Sequence, residues 1–302
     1  MRAHWLGHAC IMLNIAGATI LTDPVFEARC SPVSFAGPKR VVPAPCSVAS
    51  LPHVDIVCIS HNHYDHLSYP TVQQLLQRFG PALQWIVPLG LKSWLKSCGI
   101  THNVIELDLW NFTTPATHPH LRVTCVPAQH WSNRTNFDKN KSLWCGWAVH
   151  DVSSLTSPHP PIPSPPPLPC FYFTGDTGWS PLLFGEVGDT LASVTLAALP
   201  IGAYQPRWFM HPQHTDPGEA VEIHKALRCR QSFGVHWGTW PLTDEPMDEP
   251  VTRLAQEVAV AGLPAACFVA LCHGASVTVP YAADAAVTFS AAPMAFPAAK
   301  AL

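Results

Sequence analysis

The stretch Ser60-His61-Asn62-His63-Tyr64-Asp65-His66 packs three imidazoles and a carboxylate into one short loop, directly after the apolar run Val54-Asp55-Ile56-Val57-Cys58-Ile59. Side chains alternate along a strand, so His61 and His63 leave the strand end in the same direction. The turn that follows can fold Asp65 and His66 back toward a second point about one bridging ligand away. One loop of this composition can serve two cations. Seventeen histidines are spread over the chain, and an isolated one is ordinarily a hydrogen-bonded core or surface group. His4, His53, His102, His118, His120, His150 and His159 are assigned to that class. Three His and one Asp at this spacing, between a strand and a helix signature, belong to a metal site.

The flanking sequence reads as strands and helices in alternation. Residues 10–15 and 18–21, separated by Ala16-Gly17, form a hairpin by their turn signals. After the His-rich loop, Pro70 opens a helix with Val72, Leu75, Leu76 and Phe79 on one face, and Gly80-Pro81 stops it. A strand at 85–88, a helix at 89–98 and a strand at 104–107 follow. Strands are expected at 121–126, 143–149, 170–174, 232–235 and 268–271. Asp216-Pro217-Gly218-Glu219 is a helix start with an N-cap carboxylate, Pro at the first helical position and Glu at the third. That helix runs toward Leu227, and a last one is expected at 250–260. Strands in two runs, each followed by helices, predict two sheets packed face to face with helices outside. Residues 1–281 are read as a single domain. The proline-rich segment 157–169 cannot pair in a sheet and is read as a surface insertion in a hairpin. From 282 to 302 the Ala-rich tail has no apolar period and is expected to be disordered.

Bulk properties narrow the function classes. The 302 residues are 48% hydrophobic and 12% charged, which is a globular composition, and α/β domains of this length often run undivided. A net charge of -3 with scattered Lys and Arg argues against a nucleic-acid partner. Eleven cysteines, an odd count without a CxxC pair, with Cys10, Cys58, Cys125 and Cys267 inside apolar runs, fit a reducing compartment. The first residues lack the pattern of a secretory signal. The apolar stretch 254–272 is interrupted by Gln256, Glu257 and Pro264, short of the roughly 20 residues of a membrane span. An intracellular protein is expected, cytosolic or peripherally membrane-associated, neither secreted nor membrane-spanning.

A two-metal hydrolase site needs more ligands than one loop supplies. Three candidates lie at later strand ends: His130 after Val126-Pro127-Ala128-Gln129, Asp176 in Phe173-Thr174-Gly175-Asp176-Thr177-Gly178, and His236 in Val235-His236-Trp237-Gly238. The HxHxDH loop followed by distal His, Asp and His resembles the metallo-β-lactamase superfamily, whose αββα sandwich of two mixed β-sheets with flanking helices is an α/β fold. Within it, Thr22-Asp23-Pro24, Gly37-Pro38-Lys39-Arg40, Val87-Pro88-Leu89-Gly90-Leu91, Gln129-His130-Trp131, Gly175-Asp176-Thr177-Gly178, the Pro200 to Met210 segment and His236-Trp237-Gly238-Thr239 resemble the family of N-acylphosphatidylethanolamine-hydrolysing phospholipases D.

The resemblance implies two Zn2+ ions, other divalent metals being accepted by the same donors. His61, His63 and His130 would hold one, Asp65, His66 and His236 the other, with Asp176 bridging. A metal-bridging hydroxide would attack phosphorus, with Asp65 orienting it or taking its proton. Gln213 and His214 resemble a Gln-His pair near the substrate phosphate, where His214 would give a proton to the leaving alkoxide; ordinary polar residues of a helix-entry loop are the other reading. Asp23 and His8 are read as partners for the second nitrogen of a ligating imidazole, a turn cap being the other reading of each. Tyr204, Arg207 and Trp208 are placed at a lipid entrance, plain packing being the other reading of the Arg and Trp.

The expected reaction converts N-acylphosphatidylethanolamine to an N-acylethanolamine and phosphatidic acid, on a phospholipid substrate at a membrane surface. A soluble phosphodiester or lactone as substrate, and a metal-bearing scaffold without turnover, are the alternatives. A homodimer and a proline-motif-binding partner at 157–169 stay open.

Overall fold

The computed structural model describes residues 1–156 and 168–290. In chain order the first elements are β1 (Arg2–Trp5), β2 (Ile11–Ile15), β3 (Ala18–Thr22), β4 (Ile56–Cys58), α1 (Tyr69–Phe79), β5 (Gln84–Pro88), α2 (Lys92–Ser97) and β6 (Val104–Leu107). The middle of the chain supplies β7 (Phe112–Thr113), β8 (Leu121–Val126), β9 (Gly146–Asp151), β10 (Cys170–Phe173), α3 (Pro181–Leu191) and β11 (Leu196–Pro200). The last are α4 (Arg207–Met210), α5 (Pro217–Ala226), β12 (Ser232–Val235), α6 (Glu249–Val260), β13 (Phe268–Ala270), β14 (Ser276–Thr278) and β15 (Thr288–Ser290).

Two mixed sheets result, ordered β15-β14-β1-β2-β3-β4-β5-β6 and β13-β12-β11-β10-β9-β8-β7. Strand alternation sorts their side chains into layers. Leu121, Val123 and Cys125 of β8 and Trp147 and Val149 of β9 point inward, where they meet Trp5, Ile11, Leu13, Ile56 and Ile86 of the other sheet in a shared core. The intervening Val126, Ala148 and Tyr172 face outward beneath Phe184 of α3, Val221 of α5 and Leu254 of α6. On the first sheet, Met12, Leu21, Val57 and Trp85 face Val72 and Leu75 of α1 and Leu95 of α2. The architecture is the expected αββα sandwich.

Local signals explain the helix boundaries. Ser68 accepts from the Thr71 amide and Pro70 sits in the first turn of α1, which ends at Gly80 with φ 61°. Asp216 and Glu219 cap α5 reciprocally. α3 and β11 fall in a region to which the sequence reading assigned no elements, although Ser180-Pro181 carries the same cap-then-proline signal. The strand expected at 143–149 begins instead at Gly146, and the helix expected at 89–98 is confined to α2. Pairing of β15 with β14 corrects the expectation of a disordered tail for residues 288–290. The bulk of the proline-rich segment, 157–167, and residues 291–302 lie outside the described residues.

The sheets are tied where the site begins. Trp147, fully buried, donates its indole N–H to the Ile59 carbonyl at 3.1 Å, and the Cys145 amide donates to the Ser60 carbonyl at 3.0 Å. Both carbonyls immediately precede the His-rich loop. Trp147→Phe leaves the buried Ile59 carbonyl without this donor, so unfolding stability should fall by about 1–3 kcal/mol. Urea denaturation checks this, and an unchanged midpoint would show that the tie contributes nothing.

Candidate metal centre

β3 and β4 run parallel, as do β10, β11 and β12, so their C-terminal ends open on one edge of the sandwich. Ligand sites in α/β sheets form outside such ends. Asp23 follows β3, the His61 to His66 loop follows β4, His130 follows β8, Asp176 follows β10 and His236 follows β12. Gly175 makes the approach possible: a Cβ there would lie 2.7 Å from the Cys145 carbonyl oxygen and 2.8 Å from Ser60 Cβ.

The side chains converge in two adjacent groups, His61, His63, His130 and Asp176, and His8, Asp65, His66 and His236, with ligand atoms in each within 4.8 Å of one another. His63 Nδ1 lies 2.8 Å from His61 Nε2 and 3.3 Å from His130 Nε2. Nitrogens about 2.0–2.1 Å from one tetrahedral ion stand about 3.3 Å apart, which the His63–His130 spacing meets, while the His61–His63 approach is a hydrogen-bond distance. Asp176 Oδ2 lies 3.1 Å from both His66 Nε2 and His236 Nε2, and 3.7 and 3.9 Å from the Nε2 atoms of His130 and His61. Asp65 Oδ2 is 3.4 Å from His66 Nε2 and 3.5 Å from His236 Nε2.

Hydrogen bonds on the far side of the rings fix which nitrogen faces the centre. His130 Nδ1–H donates to the Gln213 carbonyl at 3.0 Å, and His66 Nδ1–H donates to Asp23 Oδ2 at 2.6 Å. A neutral ring so held turns a lone pair, not a proton, toward the Asp176 and Asp65 carboxylates. Lone pairs facing carboxylates repel unless a cation lies between them. Without a metal, that cation is a proton. Burial opposes charging His66, but the Asp176 and Asp65 carboxylates outweigh it and hold its pKa well above the ordinary value. The same balance holds Asp176 well below: burial works against its charge, and His236 and His66 overcome it. His63 Nε2, Asp176 Oδ1 and both ring nitrogens of His236 are buried without a hydrogen-bond partner. Acceptor nitrogens, clustered carboxylates and unpartnered buried lone pairs fit divalent cations.

A supporting shell orders these groups. Asp23, fully buried, accepts from His66, from the Ser60 amide at 2.7 Å and from the Ser60 hydroxyl. Its bond to the far nitrogen of an imidazole in the His-rich loop is the contact read from sequence. His8 differs from its reading: it bonds a carboxylate, its Nε2 lying 2.9 Å from Asp65 Oδ2. Burial and the nearby His236 lower its pKa to about 3, so the neutral ring donates. His8, Asp23 and His236 have φ of 54°, 36° and 63°, left-handed conformations that cost non-glycine residues and are held by the surrounding contacts.

His214 is buried at the centre, with a ring nitrogen in a group with Asp176 and His236 and its Nδ1 unpartnered. Burial pushes its pKa well below the usual range, so it is neutral. Gln213 touches the site through its main-chain carbonyl; its side-chain amide faces Met210 Sδ. Tyr204 corrects the expectation of a place at a lipid entrance, because it is fully buried and donates to Glu249 Oε1 at 2.8 Å. Arg207 donates to the His214 carbonyl at 2.9 Å and to Glu219 Oε2 at 2.7 Å, fixing the turn that carries His214. Trp208 is 83% exposed and stands beside exposed Phe209.

Arg134 is a site residue the sequence reading missed. Its Nη1 donates to the carbonyls of Asn62 and Leu67 at 3.0 and 2.6 Å, one at each end of the His-rich loop. The guanidinium lies 4.1 Å over the Tyr64 ring and 4.8 Å over Trp94, and the Tyr64 hydroxyl donates back to the Arg134 carbonyl. Its closeness in sequence to His130 was the only signal.

Comparison with known proteins accords with this geometry. Residues 18–237 match the family model described as the beta-lactamase superfamily domain. The chain is 42% identical over 261 residues to "N-acyl-phosphatidylethanolamine-hydrolyzing phospholipase D 1" of Caenorhabditis elegans, covering 84% of this chain and 68% of that protein. It is 35% identical over 252 residues to "N-acyl-phosphatidylethanolamine-hydrolyzing phospholipase D, mitochondrial" of Saccharomyces cerevisiae, covering 83% of this chain but only 50% of the yeast protein. A metallo hydrolase from Ignicoccus hospitalis superposes with a TM-score of 0.65 at 20% identity, covering 93% of this chain and 98% of that one.

Asp23→Asn should weaken metal binding about 10–100-fold, the usual effect of removing the acceptor behind a ligating imidazole. Competition against a chromophoric chelator measures it, and an unchanged affinity would remove Asp23 from the supporting shell.

Proposed function

We propose, because this chain belongs to the beta-lactamase superfamily and within it to the N-acyl-phosphatidylethanolamine-hydrolysing phospholipase D family, that it is a metal-dependent phosphodiesterase. Its reaction is hydrolysis of N-acylphosphatidylethanolamine to an N-acylethanolamine and phosphatidic acid. The observation that carries this reading is the placement of Asp176 Oδ2 between His61 and His130 on one side and His66 and His236 on the other.

His61, His63 and His130 would hold one cation and Asp65, His66 and His236 a second, zinc in both, with Asp176 shared. Divalent ions so held supply Lewis acidity to phosphoryl oxygens and acidify coordinated water. The protein's own groups do the rest. Asp65, braced by His8, orients water and takes its proton. Water adds to phosphorus while the bond from phosphorus to the ethanolamine oxygen breaks. His214, neutral and held by Arg207 through its carbonyl, hydrogen-bonds to the departing oxygen, which takes up the proton that Asp65 accepted from water.

An amphiphilic substrate at a membrane surface is supported by α4, where Trp208 and Phe209 are exposed and whose chain continues directly to Gln213 and His214. No helix among the described residues is long and apolar enough to cross a membrane.

The test is a fluorescent N-acylphosphatidylethanolamine in detergent micelles with purified, zinc-loaded protein. Release of N-acylethanolamine should fall to background on chelation and in Asp176→Asn. Metal binding without release from the wild type would overturn the assignment.

A further inference from the structure

A cavity lies on the outer face of the β7-to-β13 sheet, toward the opposite end of β8 and β9 from the candidate metal ligands. It measures about 580 Å³, and Trp110, Phe112, Arg122, His150, Leu168 and Glu186 are among its walls. Arg122 and His150 are cross-strand partners. Their neighbours Leu121, Val123 and Val149 enter the core between the sheets, so these two side chains face outward.

Two features of the cavity have no structural use within the fold. Arg122 Nε and His150 Nδ1 are both buried without a hydrogen-bond partner. A buried orphan donor costs about 1–3 kcal/mol, and more when charged. The Arg122 guanidinium also lies 4.7 Å from the centre of the Phe112 ring, and that ring is 55% exposed. Cation and aromatic face are thus presented together. Burial and the adjacent Arg122 lower the His150 pKa to about 4, so it offers a neutral ring beside the fixed positive charge. Glu186, on the α3 wall, confines an anion to the sheet side. The volume is that of an ordinary small-molecule pocket.

We propose that this cavity is a second ligand site, distinct from the metal centre, which binds an aromatic carboxylate or phosphate monoester with its anionic head on Arg122 and His150 and its ring against Trp110 and Phe112. The head group pairs with the terminal nitrogens of the Arg122 guanidinium, beside the His150 ring. The ring extends the stack that Arg122 and Phe112 begin.

Isothermal titration of the whole chain with 1-naphthoate, 1-naphthyl phosphate and uncharged 1-naphthalenemethanol tests it. Saturable one-to-one binding is expected for at least one anion, the preferred one identifying the head group, and none for the alcohol. Arg122→Gln should weaken binding about tenfold or more, the worth of a charge-assisted hydrogen bond, with partial recovery in Arg122→Lys. Thr190→Trp fills the cavity from an exposed position on α3 and should abolish binding without disturbing the core. Asp176→Asn should leave it unchanged. The proposal is overturned if no anion binds saturably, if the alcohol binds equally well, or if binding survives Thr190→Trp but is lost in Asp176→Asn.

Discussion

A single carboxylate oxygen organises one end of this molecule. Asp176 Oδ2 stands between 3.1 and 3.9 Å from imidazole nitrogens delivered by three other segments, the loop after β4 and the residues following β8 and β12. Asp176 is 3% exposed, and an uncompensated carboxylate at that depth would cost several kcal/mol. The two sheets must therefore close on each other in one register for the charge to be met. Trp147 and Cys145, reaching from one sheet to the carbonyls of Ile59 and Ser60 in the other, hold that register beside the loop.

The same constraint explains which parts were legible in the sequence. His61, His63, Asp65 and His66 are local, so their spacing alone exposes them. His130, Asp176 and His236 each follow an apolar run, and strand ends at one edge of a sandwich are where ligands can meet. The αββα layering followed from runs of strands and helices, and α5 from its capping box. What stayed hidden depends on distant partners. Arg134 acts by holding the carbonyls of Asn62 and Leu67, which any residues at those positions would offer. Gln213 contributes a main-chain oxygen to His130, a role its side chain does not advertise.

Tyr204 and His8 show a second kind of limit. A tyrosine has both an apolar ring and a polar tip, and only the position of Glu249 decides that this one is buried. For His8, the residue type announced a hydrogen bond, but the fold chose the Asp65 carboxylate over an imidazole. The β15 strand was invisible for another reason: three residues carry too short an alternation to register, and β14 supplies the edge on which they pair.

The central claim is that these buried carboxylates and imidazoles are matched by two divalent cations and not by protons. Metal content per chain, measured by plasma mass spectrometry after zinc loading and exhaustive gel filtration, tests it most directly. Two equivalents are expected in the wild-type chain, and fewer in His63→Ala and in His236→Ala. A wild-type chain that retains no metal at neutral pH would contradict it, and would leave His66 carrying the compensating proton.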